Sequence, residues 1–429
     1  MRKLFVLLFV LLGMFISAAA ADSAKSYPLR KAVECRSRKG LPNVFSKLQQ
    51  GREVRIAYLG GSITAQKGWR PMTLNWFQQQ YPQAKVSEIN AAIGGTGSNL
   101  GVFRLEHNVL RHRPDLLFVE FAVNDGATPP KRIQQAMEGI LRQTWKADAM
   151  TDICYIYTLK AGGILEELQN GKFSYSASAM EELADYYGIP SIHMGLEVAR
   201  LETEGKLLIK ADGTEAEQAM AAGKIIFSKD GVHPNVKYGH KLYLEAVIRA
   251  MNRIKTKGTY GPHKVGKPLL DDNWESAKML PLDRAQISSG WRKLDPSKDR
   301  LAKLFQEKVP SIWCADKPGE TISFRFKGRV LKIYDVLGPD CGQIIVKVDD
   351  RPVRIRRRFD AYCTYHRLNS FTVVDDLTDS IHKVELEIHP EQPDKAKILA
   401  KRNLKIDDPA RFDGVTWYVG GILLVGELL

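Results

Sequence analysis

The strongest constraint on the fold is a regular alternation of short apolar runs with longer amphipathic segments between residues 54 and 254. Short apolar runs are typical of buried strands, and the segments between them have helical periodicity. Strands that alternate with helices form parallel sheets, so their carboxyl ends share one edge. The predicted strands are Val54–Leu59, Lys85–Ile89, Leu116–Phe121, Ile153–Thr158 and Pro190–His193.

Helices are predicted between and after these strands, which makes the first part of the chain a doubly wound α/β domain. The last helix ends the alternation of strands and helices, and the composition and periodicity of the sequence change after Lys255. The predicted helices are Trp69–Gln80, Leu100–Arg111, Lys131–Thr144, Ala177–Tyr187, Leu196–Glu204 and Asn235–Ile254.

The remainder of the chain has strand periodicity. A connector rich in Gly, Pro and Lys precedes Thr321–Lys327, Gln343–Val348 and Lys383–Ile388, whose apolar residues alternate. Turn sequences separate these segments, which predicts a β-sandwich of jelly-roll type. We therefore expect a signal peptide at 1–21, a leader at 22–48, an α/β domain at 49–256, a linker at 257–280 and a β-sandwich at 281–429.

The amino terminus predicts export. Two basic residues precede an apolar run from Leu4 to Ile16, and Ala19 and Ala21 fit a cleavage site before Asp22. The competing interpretation is an uncleaved anchor, because Leu4 to Ala21 is just long enough to span a bilayer. After cleavage we expect no membrane insertion and a periplasmic or secreted protein.

The net charge bears on the kind of partner that the chain binds, and the cysteine content bears on its disulfides. The formal net charge of +14 predisposes an exported protein towards anionic partners such as acidic glycans or envelope lipids, although solubility explains it equally well. We expect no nucleic-acid partner. The five cysteines form no CxxC pair, at least one must be unpaired, and pairing among Cys314, Cys341 and Cys363 is left open.

The stretch VRIAYLGGSIT, residues 54–64, places a serine just after a buried strand. Gly60 and Gly61 allow a sharp turn, so Ser62 can project its hydroxyl into the cleft where open α/β sheets bind ligands. Taken alone, Ser62 fits a nucleophile or a simple helix cap.

Three further stretches fall at the same predicted edge. NAAIGGTGSN, residues 90–99, ends the second strand and includes Gly94, Gly95 and Gly97; FAVND ends the third strand with Asn124. Asp230 and His233 lie three residues apart in DGVHPN, before the last helix.

These four blocks, in this order, resemble the SGNH (GDSL-type) hydrolase superfamily over Val54 to Ile254. The resemblance implies a three-layer α/β/α domain with a flavodoxin-like parallel sheet. The sequence departs from the family in the first block, where the usual Gly-Asp-Ser is replaced by Gly60-Gly61-Ser62. The missing aspartate is not a member of the family's catalytic triad.

The resemblance implies roles that ester chemistry requires. His233 would take the proton of Ser62, and Asp230 would orient His233. The oxyanion donors would be the N–H of Ser62, the N–H of Gly95, with Gly94 and Gly97 as rivals, and the amide of Asn124. We infer no metal and no cofactor.

Other candidates are weaker. His193 lies at a strand end without an acidic partner at matching spacing, and His240 lies inside the last helix, where it faces solvent or packs. The spacing of His107 and His112 does not fit a helical metal pair. Trp69 and Arg70 either line the pocket or pack in the core.

An exported SGNH domain with a β-sandwich resembles polysaccharide acetylesterases, so the expected partner is an acylated polysaccharide or oligosaccharide, including an acidic one. The alternatives are an O-acyltransferase on glycans and a catalytically inert glycan-binding protein. The oligomeric state is left open. Aromatic candidates for stacking on sugar rings are Trp291, Trp313, Trp417 and Tyr418.

The segment VRIRRRF, residues 353–359, adds a charge pattern. Strand alternation places Arg354, Arg356 and Arg358 on one face. Three adjacent guanidinium groups favour an anion between them, such as an acidic glycan. An edge strand protected by charge explains them equally well.

Overall fold

The computed structural model describes residues 27–429, so the predicted signal peptide lies outside the described residues. The chain divides into two compact units. The first comprises residues 27–102 and Val109–Glu275, and the second comprises Phe103–Asn108 and Ser276–Leu429. No helix within residues 27–429 has both the length and the apolar character needed to cross a bilayer.

The first unit is built on a six-stranded sheet with the order β1-β6-β5-β4-β2-β3. All neighbours are parallel except β1, which runs antiparallel to β6. The predicted parallel sheet of flavodoxin-like type is therefore confirmed. Its strands are β1 Cys35–Arg36, β2 Val54–Gly60, β3 Val86–Asn90, β4 Leu116–Glu120, β5 Asp152–Tyr157 and β6 Ser191–His193, and a separate parallel pair is β7 Leu207–Lys210 and β8 Ile225–Ser228.

Helices follow the strands of this sheet. Pro130–Ala147 packs against Tyr175–Tyr187, and Trp69–Gln80 packs against Gly239–Ile254. The shorter helices of the described chain are Pro42–Gln49, Ser62–Ala65, Ser98–Gly101, Leu105–Asn108, Gly163–Gln169, Leu196–Thr203, Gly213–Ala221, Arg300–Phe305, Lys395–Ala400 and Pro409–Phe412, with single 3-10 turns at Leu110–His112 and Leu282–Arg284.

The single helix predicted over Leu100–Arg111 is wrong. The chain forms three short turns there, because Gly101 lies against the ring of Phe121, where a β-carbon would approach to 2.7 Å. The side-chain amide of Asn108 also donates to the carbonyl of Glu307 at 3.1 Å. Tertiary contacts therefore override the helical periodicity of the segment.

The leader and the start of the linker are structural parts of the first unit. Strand β1 pairs with β6, and the Asn43 amide donates to the carbonyl of Gly261 at 3.0 Å. His263 contacts the buried carboxylate of Asp152 at 2.8 Å. By its contacts, this compact unit ends at Glu275.

The second unit is a ten-stranded antiparallel sheet, which confirms the predicted all-β domain; the jelly-roll connectivity stays a prediction. The long strand β13 pairs with β17 over its first half, with β16 over its second half and with β18 from Phe326 to Val336. The strands are β9 Ala277–Leu280, β10 Gln286–Ile287, β11 Arg292–Lys293, β12 Trp313–Ala315, β13 Thr321–Leu337, β14 Gln343–Val348, β15 Arg354–Arg357, β16 Arg367–Val374, β17 Ser380–Ile388 and β18 Trp417–Leu428.

The apolar residues that were predicted to share one face of β13 and of β17 are buried in the core. Ile322, Phe324 and Phe326 are buried together with Val384 and Leu386. Trp291 and Trp417 are also buried in this core, so neither ring is accessible for stacking on a sugar. Of the four stacking candidates, only Trp313 and Tyr418 are partly exposed.

All five cysteines lie among the described residues as free thiols. Cys154, Cys314, Cys341 and Cys363 are buried, and Cys35 is half-buried. The pairing considered for the last three is therefore not formed. Their burial raises the pKa of each of the four inner thiols, which keeps them protonated.

A buried ion pair ties the strands of the second unit together. The guanidinium of Arg358 donates to both carboxylate oxygens of Asp335 at 2.6 and 2.7 Å, and both side chains are almost completely buried. The indole N–H of Trp417 also donates to Asp335 at 3.2 Å. Arg358 is thus a structural residue, which corrects its predicted place beside Arg354 and Arg356 on one face of a charged strand.

We predict that Arg358→Met destabilises the protein by about 3 kcal/mol, because it leaves the Asp335 carboxylate buried without its cation. The double variant Asp335→Leu/Arg358→Met should recover a large part of this loss. Urea unfolding followed by tryptophan fluorescence measures both. Equal losses for the single and double variants would contradict the prediction.

Candidate active site

Ser62 lies where the strand order of the sheet reverses. Strand β2 has β3 on one side and β4 on the other, and the crevice at such a switch point is the usual ligand site of an open α/β sheet. Gly61 keeps an extended conformation after β2, and Ser62 then starts a four-residue helix. The Ser62 side chain is half-buried at this edge.

The structure brings Ser62, His233 and Asp230 together as predicted from the sequence. Nε2 of His233 lies 2.8 Å from Oγ of Ser62, and Nδ1 of His233 lies 2.6 Å from Oδ2 of Asp230. These distances suit a serine that passes its proton to an imidazole held by a carboxylate.

The turn that carries Asp230 and His233 fixes their geometry. Oδ1 of Asp230 accepts the backbone N–H groups of Val232 and His233 at 2.9 and 2.8 Å. Although partial burial acts to raise it, hydrogen bonds from His233 lower the pKa of Asp230 to about 2. Asp230 is therefore an anion at neutral pH, which favours the tautomer of His233 that carries its proton on Nδ1.

Asn124 lies directly beside the nucleophile turn. A β-carbon at Gly61 would lie 2.1 Å from Oδ1 and 3.0 Å from Nδ2 of Asn124, so the amide packs against the Gly61 backbone. The Asn124 side chain makes no hydrogen bond within the part of the chain that the structure describes. Its N–H groups can therefore point to an oxyanion at Ser62.

The glycines of the second block differ in position. A β-carbon at Gly94 would lie 3.6 Å from Cβ of Ser62, whereas Gly95 has a positive φ of 73° and open space around it. Gly97 lies against the buried carboxylate of Asp125, where a β-carbon would approach Oδ1 to 2.2 Å. The geometry thus sets Gly97 apart and leaves Gly94 and Gly95 as candidate donors.

Glu120 is a residue of the site that sequence reasoning missed. It ends β4 beside Gly60, is completely buried, and accepts the hydroxyls of Thr64 at 2.9 Å and Thr158 at 2.8 Å. It also accepts a backbone hydrogen bond from Gly61. A carboxylate on the neighbouring strand thus holds the turn that presents Ser62.

The signal for Glu120 was available in the sequence. The run LLFVEFAV is apolar except for one glutamate, and an acidic residue inside a buried strand needs hydrogen-bond partners or a function. An aspartate at position 61, where the SGNH motif usually has one, would displace the Asn124 side chain from its present position. Glu120 supplies a carboxylate to the same turn from another strand.

The other candidate histidines are structural. His193 is buried and stacks on Phe173, and burial lowers its pKa to about 3. Nδ1 of His240 accepts the backbone N–H of Trp69 at 3.1 Å, and its ring fills the space beside Gly68. His240 therefore packs rather than facing solvent.

The open choice for Trp69 and Arg70 is settled in favour of packing. Trp69 is buried and contacts the rings of Tyr58 and Phe118 edge-on. The buried guanidinium of Arg70 donates to the carbonyl of Thr64 at 3.1 Å and pairs with Glu88. Both side chains thus support the nucleophile turn from behind.

Comparison with known families agrees with this geometry. Residues 58–242 match the profile of the GDSL-like Lipase/Acylhydrolase family. This segment is a GDSL-like hydrolase domain. The match confirms, for this segment, the family and the fold class that the four sequence blocks imply, and it supports ester hydrolysis as the chemistry. No curated protein sequence matches the chain.

Two solved structures resemble both units of this chain. A two-domain esterase (CEX) active on acetylated mannans, co-crystallized with mannopentaose, is 20% identical with a TM-score of 0.69, and the alignment covers 91% of this chain and 96% of that one. A second structure of CEX is also 20% identical, with a TM-score of 0.68 and coverage of 91% and 97%. At this identity the likeness establishes the two-unit fold.

We predict that Asn124→Ala lowers kcat for ester hydrolysis about a hundred- to a thousandfold, because one oxyanion donor is lost. Circular dichroism should show an intact fold, since Asn124 supports no other group by hydrogen bonding. Asn170→Ala, at an exposed helix end, is the matched control and should keep full activity. Near-normal turnover by Asn124→Ala would remove Asn124 from the site.

The buried Glu120 predicts a pH-dependent stability. Burial raises its pKa to about 7, aided by the nearby Asp125 and opposed by hydrogen bonds from Thr158 and Thr64, whereas an unfolded glutamate has a pKa of about 4.3. Its contribution to the free energy of unfolding is therefore largest below pH 4.3 and falls as the pH rises through about 7.

We expect the urea midpoint of the wild type to fall more between pH 5 and pH 8 than that of Glu120→Gln, which cannot ionise. The exposed Glu217→Gln should follow the wild type. Parallel pH profiles for the wild type and Glu120→Gln would contradict this prediction.

Proposed function

We propose that the protein is an exported serine esterase that removes acyl groups, most of all acetyl groups, from a polysaccharide or oligosaccharide. The observation that carries the proposal is the continuous hydrogen-bonded chain from Ser62 through His233 to Asp230 at the switch point of the sheet. The GDSL-like family match supports ester chemistry. The two-unit likeness to an esterase active on acetylated mannans supports a glycan carrier.

The proposed reaction has two steps through an acyl-enzyme. Oγ of Ser62 attacks the ester carbonyl while Nε2 of His233 takes the serine proton and passes it to the departing sugar oxygen. Water then attacks the acyl-serine with His233 as the base, which releases the carboxylic acid and restores Ser62. Asp230 stabilises the imidazolium in both steps.

The exposure of the site supports hydrolysis rather than acyl transfer. The side chain of His233 is 37% exposed and that of Asp230 is 53% exposed, so water reaches the catalytic base directly. A transferase must exclude water from the acyl-enzyme while the acceptor sugar binds. Export rests on the apolar run and alanine-rich end of residues 1–21.

We expect Ser62→Ala and His233→Ala to abolish hydrolysis of p-nitrophenyl acetate and butyrate, and Asp230→Asn to lower kcat by about 10⁴-fold through loss of the correct His233 tautomer. His389→Ala, in the second unit, is the matched control and should keep wild-type activity. Folding of each variant is checked by circular dichroism.

The substrate class is tested by acetate release from acetylated mannan, with chemically deacetylated mannan as the blank. Acetate release that depends on Ser62 supports the proposal. A folded wild type that hydrolyses neither p-nitrophenyl ester would overturn the serine mechanism, and ester hydrolysis without release from any acetylated polysaccharide would overturn the glycan carrier.

A further inference from the structure

The second unit contains a groove that the ester chemistry does not use. Its volume is about 560 Å³, which lies within the usual range of ligand pockets. One wall is β15, the outermost strand of the sheet, and segments near Asp360, Phe371 and Ile398 complete the lining. All of these residues belong to the second unit.

Three cations of the groove have no counter-charge. Arg356, Arg357 and Lys401 are exposed, and their side chains make neither an ion pair nor a hydrogen bond within residues 27–429. Arg356 and Arg357 flank the groove from opposite faces of β15, and Lys401 lies on the lining as well. Like charges around one groove repel each other, and bound anions remove that repulsion.

The acid of the groove does not neutralise these cations. Asp360 pairs with Arg367 and accepts the backbone N–H of Tyr362 at 2.9 Å. Although burial acts to raise it, the hydrogen bond from Arg367 holds the pKa of Asp360 below its usual value. Asp360 is thus a charged partner of Arg367, and the groove keeps its positive potential.

The apolar part of the groove is held firmly in place. Arg358 lies 4.2 Å from the ring centre of Phe371, and its guanidinium is locked by the Asp335 carboxylate. Ile398 is buried below the surface, and Ile355 of β15 is 55% exposed. A ligand with both an apolar face and negative charge would therefore pack against the apolar lining and neutralise the exposed cations of the groove.

We propose that this groove binds the uronate residues of an acidic oligosaccharide. Arg356 and Arg357 would hold carboxylates through their forked N–H groups, Lys401 would neutralise a further charge, and the C–H face of a pyranose ring would cover the apolar wall. The inference deepens the proposed function, since it rests on a polysaccharide as the substrate. It places recognition of acidic sugars in the second unit.

A carboxylate on a sugar fits better than a free phosphate. Inorganic phosphate would satisfy the cations but leave the apolar wall against water, and a groove of this volume is far larger than one phosphate ion. The planar guanidinium fork of each arginine matches a carboxylate in two-point contacts. Free phosphate and anionic lipid are therefore the competing ligands in the test.

The experiment is isothermal titration calorimetry of the full chain carrying Ser62→Ala, with oligogalacturonate as the acidic probe and a neutral mannooligosaccharide as the comparison. Arg356→Ser/Arg357→Ser should weaken oligogalacturonate binding about tenfold or more, since two charge-assisted contacts are lost. Added salt should weaken the same interaction. Lys401→Ser should have a smaller effect in the same direction.

The matched control is Arg325→Ser/Lys327→Ser, which removes two exposed cations of β13 that do not line the groove. This control should bind oligogalacturonate as tightly as the parent. The inference is overturned if the control and the groove variant weaken binding equally, if the parent binds acidic and neutral probes alike, or if inorganic phosphate or phosphatidylglycerol vesicles bind the groove and oligogalacturonate does not.

The test separates this inference from the proposed function. Hydrolysis of p-nitrophenyl acetate is measured with the groove substitutions in the Ser62 background, where it should be unchanged. Esterase activity without acidic-sugar binding overturns only the groove. Acidic-sugar binding by a protein whose wild type lacks esterase activity overturns only the proposed function.

Discussion

The presentation of Ser62 depends on a carboxylate buried behind it. Glu120 is completely buried at the end of β4 and accepts the hydroxyls of Thr64 and Thr158 and the backbone N–H of Gly61. A buried carboxylate is costly unless its oxygens are satisfied, so these three donors stabilise Glu120 while Glu120 fixes their positions. Glu120 thus supports the turn that carries Ser62, while Asp230 holds His233 against it.

Much of the first unit could be predicted from the sequence because its signals are local. Apolar runs located the five parallel strands to within about two residues. The four short blocks pointed to Ser62, Asp230 and His233, which the structure brings within hydrogen-bond distance, and to Asn124, which lies beside Gly61. What failed depended on distant contacts. The sequence after Ser98 has the periodicity of one helix, but packing against Phe121 breaks it into short turns. Glu120 reaches the turn that carries Ser62 only because β4 lies beside β2.

The second unit shows the limits of strand alternation. The pattern correctly predicted which residues of β13 and β17 are buried, since each strand faces one core. It could not separate the arginines of residues 354–358 by role, because Arg358 lies just past β15 and pairs with Asp335, while Arg356 and Arg357 remain exposed. Charge in the sequence therefore does not distinguish a buried structural cation from an exposed one.

The contact between Gly61 and Asn124 limits how this first block could evolve. An aspartate at position 61, as in the usual motif, would place its β-carbon 2.1 Å from Oδ1 of Asn124, and its carboxylate would add to that of Glu120 near the same turn. An aspartate at position 61 would therefore require the Asn124 side chain to move away from the turn. The residue at position 61 and the placement of the Asn124 amide, a candidate oxyanion donor, are therefore coupled, so a change in the first block would move a group of the third block.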